Sequence, residues 1–156
     1  MARKIRVLMV CMGNICRSPT MEGVMRARLQ HYGLETLVEV DSAGTHDYHV
    51  GRAPDPRSVA AAARRGYDLS ALRARQVSPA DFAEFDYLLA ADCDNLANLE
   101  RVRGGRGVAP KLLLSILGQP AEVPDPYYGG PQGFEQVLDL VEEACDAWCR
   151  RLQQSL

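Results

Sequence analysis

The chain has 156 residues, 47% hydrophobic and 24% charged, which at about 150 residues per domain predicts a single domain over 1–156 with no linker to a second. That balance belongs to ordinary folded domains and excludes disordered, collagen-like and low-complexity architectures. Lys plus Arg number 18 against 20 Asp plus Glu, a formal charge of -2, so bulk electrostatics attract neither a nucleic-acid backbone nor an anionic membrane, and any anion site must be local.

Five cysteines are too few for a disulfide scaffold and odd in number, which reads as a reduced, cytoplasmic protein with at least one free thiol. No apolar run reaches the roughly 18 residues of a membrane span. The start, Ala2 to Met12, imitates a signal peptide, but its apolar part is short and runs into Asn14 and Arg17, so a buried strand explains it better.

In chain order, Ile5 to Cys11 is a short continuous apolar run, as in a central strand covered on both faces. Ser18 before Pro19 has the form of an N-cap, and Met21, Val24, Met25, Leu29 and Tyr32 recur at helical spacing until Gly33. Leu37 to Ser42 reads as a second strand. Asp55-Pro56 opens a helix through the alanine run to Gly66, and Ser78-Pro79-Ala80-Asp81 resembles a capping box before a short helix. Asp86 to Ala91 is expected to be a third strand, Asp92 to about Val102 a helix, and Leu112 to Leu117 a fourth strand. Gly118 to Gly133 is rich in proline and glycine, a loop long enough to suggest function. Phe134, Val137, Leu138, Val141, Cys145, Trp148, Cys149 and Leu152 then share one face of a closing helix. Strands alternating with helices predict an α/β fold with a parallel sheet covered on both faces, whose ligands bind outside the carboxyl ends of the strands.

The loop after the first strand reads Cys11-Met12-Gly13-Asn14-Ile15-Cys16-Arg17-Ser18. A Cys followed six positions later by an Arg is expected about 0.5 times by chance on composition alone, and Cys145 and Arg151 repeat the spacing inside a predicted helix. There, six residues advance about 9 Å and turn about 600°, so those two side chains cannot close on one ligand. After Cys11 the setting is an anion cradle. Backbone N–H groups of a tight loop, helped by Gly13 and by Asn14 at a positive φ, join the positive end of the following helix. Arg17 adds a planar fork for phosphate oxygens, and the same field favours a thiolate at Cys11. Ser18 would be justified equally by capping the helix or by bonding that thiolate. Asp125, between Pro124 and Pro126 and followed by Tyr127 and Tyr128, is either a proton donor to a leaving group or a plain turn residue.

Cys11 to Pro19, Asp41-Ser42-Ala43-Gly44-Thr45 and Asp125-Pro126-Tyr127-Tyr128-Gly129 together resemble the signature segments of the low-molecular-weight protein tyrosine phosphatases, over nearly the whole chain. The resemblance implies a three-layer α/β sandwich with a four-stranded parallel sheet. It also implies a Cys11 nucleophile, Arg17 as phosphate and transition-state clamp, and Asp125 as general acid and then base. Asn14 and Ser42 would hold the loop in shape and Ser18 would bond the thiolate. Met12, Gly13, Ile15 and Cys16 belong to the substrate-binding loop, with Tyr48, Tyr127 and Ile15 as walls of a slot for a phenyl phosphate. Related protein-arginine phosphatases carry threonine at the position of Ile15. By the same resemblance Cys16 forms a reversible disulfide with Cys11, and Tyr127 or Tyr128 is phosphorylated. No metal or cofactor is implied, and the partner is a tyrosine-phosphorylated protein such as a tyrosine kinase.

Three other readings compete. Arsenate reductases of this fold need two further redox cysteines on a mobile segment, whereas Cys93 has no near partner and Cys145 and Cys149 fall on a helix. A protein-arginine phosphatase differs in its pocket, and a non-catalytic phosphotyrosine-binding module would lack Cys11 or Asp125. His46-x-x-His49 lacks zinc-type spacing partners and reads as a polar loop at the site rim. Arg101, Arg103 and Arg106 read as a solvated basic surface.

Overall fold

Alternation along β1 (Ile5–Cys11) sets up the architecture. Val7, Met9 and Cys11 face one buried cluster while Leu8 and Val10 face another, the period-2 division of a strand between two layers. In the computed structural model, which describes residues 3–118, 121–127 and 129–156, β1 pairs in parallel with β2 (Val38–Gly44) on one side and β3 (Tyr87–Ala90) on the other. β4 (Lys111–Leu112) follows, giving the order β2-β1-β3-β4. The first cluster takes its helical residues from α1 (Arg17–His31), α2 (Pro56–Arg64) and α5 (Pro131–Ser155), and the second from α3 (Asp81–Glu84) and α4 (Cys93–Arg103). The expected sandwich of helices, four-stranded parallel sheet and helices is what the chain forms. Among the described residues no helix is long and apolar enough to cross a membrane.

Local sequence accounts for most boundaries. Asp55 caps α2 through the Arg57 N–H at 2.8 Å, and Asp92 caps α4 through the Asn95 N–H at 2.7 Å, each satisfying an otherwise orphaned helix donor. Gly104 ends α4 at φ 59°. Cys145 and Cys149 are fully buried on the inner face of α5.

Three expectations are corrected. The expected fourth strand, Leu112 to Leu117, is extended only through Leu112, and Leu113–Leu117 is a turn of 3-10 helix. Leu113 and Leu114 are consecutive yet both packed into the same cluster, which strand alternation forbids, and the Leu113 carbonyl accepts the Trp148 indole N–H at 2.9 Å. Ser18 does not cap α1: the helix starts at Arg17 with Cys16 in the cap position and no side-chain cap bond, because the Ser18 hydroxyl is engaged elsewhere. The capping box before α3 is half formed, with Asp81 accepting the Ser78 N–H at 2.8 Å.

Candidate active site

The carboxyl ends of β1, β2 and β3 converge on the segment between Cys11 and α1. The Thr45 and His46 N–H groups donate to the Cys11 and Met12 carbonyls at 2.9 and 3.0 Å, the Asp55 N–H to Ile15 at 2.8 Å, and the Val123 N–H to Ala91 at 2.8 Å. Two glycines permit this closeness. A Cβ on Gly44 would lie 2.7 Å from the Met12 carbonyl oxygen, and one on Gly13 would lie 2.8 Å from His49 Cδ2.

Asn14 has the left-handed φ of 58° that the sequence anticipated, and its buried side chain ties the loop together. Nδ2 donates to Ser18 Oγ at 2.7 Å and to Ser42 Oγ at 3.0 Å, while Oδ1 accepts the Arg75 N–H at 3.0 Å. The Ser42 hydroxyl in turn donates to Glu22 Oε1 at 2.7 Å. Because Ser18 Oγ accepts from Asn14, its proton is available to Cys11 Sγ, 3.0 Å away; the Asn14 N–H also donates to that sulfur at 3.3 Å. These two contacts fix the position of the sulfur at the base of the loop.

Arg17 is buried at the start of α1. Its Nη1 donates to Asp92 Oδ2 at 2.6 Å and to the Val123 carbonyl at 3.0 Å, and its Nη2 stands 3.8 Å from Asp125 Oδ2. Burial works against its charge, but the facing Cys11, Asp92 and Asp125 outweigh it and raise its pKa. Cys16 differs: burial, with Asp55 nearby, pushes its thiol up to about 12.

A cleft of about 350 Å³ is lined by Cys11, Met12, Gly13, Ile15, Cys16, Arg17, Tyr48, Asp125 and Tyr127, all singled out in the sequence, and by His49. Asn14, Ser18 and Ser42 lie behind the loop and shape it. Tyr48 is 64% exposed at the rim and stacks on His46, with ring centroids 5.1 Å apart. Tyr128 lies outside the described residues. Sequence reasoning missed Asp92 as the partner of Arg17, placing it only at the start of a helix, and Glu22, whose burial inside α1 leaves no local sign. It placed His49 at the rim but did not assign it to the cleft. The basic cluster is surface, Arg103 pairing with Glu100 and with the Gly107 carbonyl.

A family model for the low molecular weight phosphotyrosine protein phosphatases matches residues 6–156. The chain is 45% identical over 145 residues to a low molecular weight protein-tyrosine-phosphatase of Streptomyces coelicolor, an alignment spanning 89% of this chain and 88% of that protein. YfkJ from Bacillus subtilis matches in structure with a TM-score of 0.92 at 36% identity, covering 99% of this chain and 98% of that one. DARP, a Drosophila arginine phosphatase, matches at 0.88 and 29% identity, covering 96% and 98%. The chain therefore belongs to the low molecular weight phosphotyrosine protein phosphatase family.

Proposed function

We propose that this phosphatase hydrolyses phosphotyrosine and related aryl phosphate monoesters in two steps through a phosphocysteine on Cys11, without a metal. The observation that carries the reading is the convergence of the Cys11 sulfur, the Arg17 guanidinium and the Asp125 carboxyl on one cleft between apolar and aromatic walls. In the first step Cys11 Sγ attacks phosphorus in line, the bond from phosphorus to the aryl oxygen breaks, and Asp125 gives its proton to the departing phenol. In the second, water attacks phosphorus and passes a proton to Asp125, the S–P bond breaks, and inorganic phosphate leaves. Arg17 and the loop amides neutralise the equatorial oxygens throughout. In the free site Asp92 and Asp125 serve as counter-charges for Arg17.

Ile15, Tyr48 and Tyr127 suit a flat aromatic ester, and a branched apolar side chain at Ile15 offers no hydrogen bond to an N-phosphorylated guanidinium. The partner is a tyrosine-phosphorylated protein, such as a tyrosine kinase, in a reduced cytoplasmic setting where all five cysteines are free thiols. Cys16, five residues from the nucleophile on the same loop, guards Cys11 by a reversible disulfide under peroxide.

Turnover of para-nitrophenyl phosphate, phosphoarginine and arsenate in EDTA tests the reading. The ester is expected to be hydrolysed with a bell-shaped acidic pH profile, and the other two to be poor substrates. Cys11→Ser is expected to abolish turnover while retaining phosphate-ester binding. Metal-dependent turnover, or a preference for phosphoarginine, would overturn the assignment.

A further inference from the structure

The loop bearing Asp125 has no regular secondary structure, and a guanidinium from α2 holds it. Asp125 Oδ1 accepts the Tyr127 N–H at 3.0 Å, so the carboxyl follows the Tyr127 backbone. The Tyr127 carbonyl accepts Arg57 Nη2 at 2.9 Å. Arg57 also forks onto Asp55, Nε to Oδ1 at 3.1 Å and Nη2 to Oδ2 at 2.9 Å, and the Asp55 N–H donates to the Ile15 carbonyl. The Arg57 guanidinium carbon stands 5.4 Å from the centroid of the Tyr127 ring and 4.9 Å from that of Phe134 in the first turn of α5. Asp55 alone would suffice to cap α2, so the bond to Tyr127 and the two ring contacts are additional. They join the loop of the nucleophile to the loop of the acid.

We propose that Arg57 is a positioning residue for leaving-group protonation, holding Asp125 at the depth of the departing oxygen by tying Tyr127 to the phosphate loop. This rests on the reading of Asp125 as the acid. A proton donor must sit about 2.6–3.2 Å from the oxygen it serves, so a small drift of the loop forfeits much of its effect. Lysine cannot replace the fork, because a compact ammonium lacks the planar geometry that spans Asp55 and the Tyr127 carbonyl together.

The test is kcat/KM, which reports cleavage of the aryl ester, for phenyl phosphate and 2,4-dinitrophenyl phosphate. The proteins are the wild type, Arg57→Ala, Arg57→Lys, Asp125→Ala and the double variant Arg57→Ala/Asp125→Ala. Asp125→Ala is expected to lose about 10²-fold on phenyl phosphate and less than about 3-fold on the dinitrophenyl ester, which needs little protonation. Both Arg57 variants are expected to lose about 10-fold on phenyl phosphate and less than about 2-fold on the other, with the double variant no worse than Asp125→Ala alone. Equal losses on the two esters, additive losses in the double variant, or full activity of Arg57→Lys on phenyl phosphate would overturn the proposal. Should Arg57→Ala fail to fold, Arg57→Lys decides it alone. Absence of leaving-group dependence in Asp125→Ala would instead refute the acid reading itself.

Discussion

Cys11 and Cys16 sit on one loop in different surroundings. Cys11 receives an N–H and faces a hydroxyl, whereas burial and the nearby Asp55 push Cys16 up to about 12, so Cys16 is a neutral thiol at physiological pH. Since the thiolate is the reactive form, iodoacetate is expected to label Cys16 more slowly than Cys11, read by peptide mass spectrometry; labelling of Cys16 first would contradict the local electrostatics. Asn14 unites two demands, a left-handed backbone and three side-chain bonds. Asn14→Gly meets the first and loses the second, while Asn14→Ala loses both and adds about 1–2 kcal/mol of backbone strain. Both are expected to lower kcat/KM, and the alanine variant is expected to melt lower by a few degrees.

Between elements, ionic pairs fasten α2 to α5. Arg65, just beyond α2, meets Glu135 and Asp139 at 2.9 Å each and also Glu142, while Arg64 meets Glu135 at 2.9 Å. Arg65 is half-buried and serves three carboxylates at once, which sets it above an isolated surface pair. Arg65→Ala is expected to cost about 1 kcal/mol, a fall in Tm of about 3 °C, with kcat/KM unchanged because none of these residues lines the cleft. The end of β2 behaves differently: a Cβ at Gly44 meets the Met12 carbonyl at 2.7 Å and loop backbone at 3.1 Å, neither of which can yield like a flexible side chain. Gly44→Ala is therefore expected to lower activity and Tm together, and a loss of Tm alone would show that the loop tolerates displacement.

Across the whole molecule, carboxylates set the acid limit of stability. Asp55 is held below its ordinary 3.8 by the Arg57 hydrogen bond, Asp86 by Arg3 and Arg6 against its burial, and Glu135 below 4.5 by Arg64 and Arg65. A lowered carboxyl stabilises fully above its unfolded value and loses that contribution as pH falls through its folded one. Glu22 runs the other way, since burial raises it above 4.5 despite bonds from Ser42 and Arg26; its contribution declines as pH rises between 4.5 and its folded value. Urea midpoints are expected to drop steeply below about pH 4, and Asp55→Asn to flatten that drop. Much of this was legible in the sequence. The apolar run of Ile5 to Cys11, the helix opened by Asp55-Pro56 and the face of α5 are local signals with local physical causes, and the loop from Cys11 to Ser18 announced an anion cradle because its backbone chemistry is contiguous. Leu113 and Leu114 show where such reading fails: an apolar run fits a strand, and only the core behind it reveals that both side chains point the same way. The sequence by itself determined the layered fold and singled out the loop from Cys11 to Ser18, with Cys11 and Arg17 as the proposed nucleophile and phosphate clamp. Only the tertiary structure decided that Asp92 faces Arg17, that Glu22 ends the bonds behind the loop and that Arg57 ties Asp125 to it, because these pairs join residues 20 to 75 positions apart through a packing that no local pattern encodes.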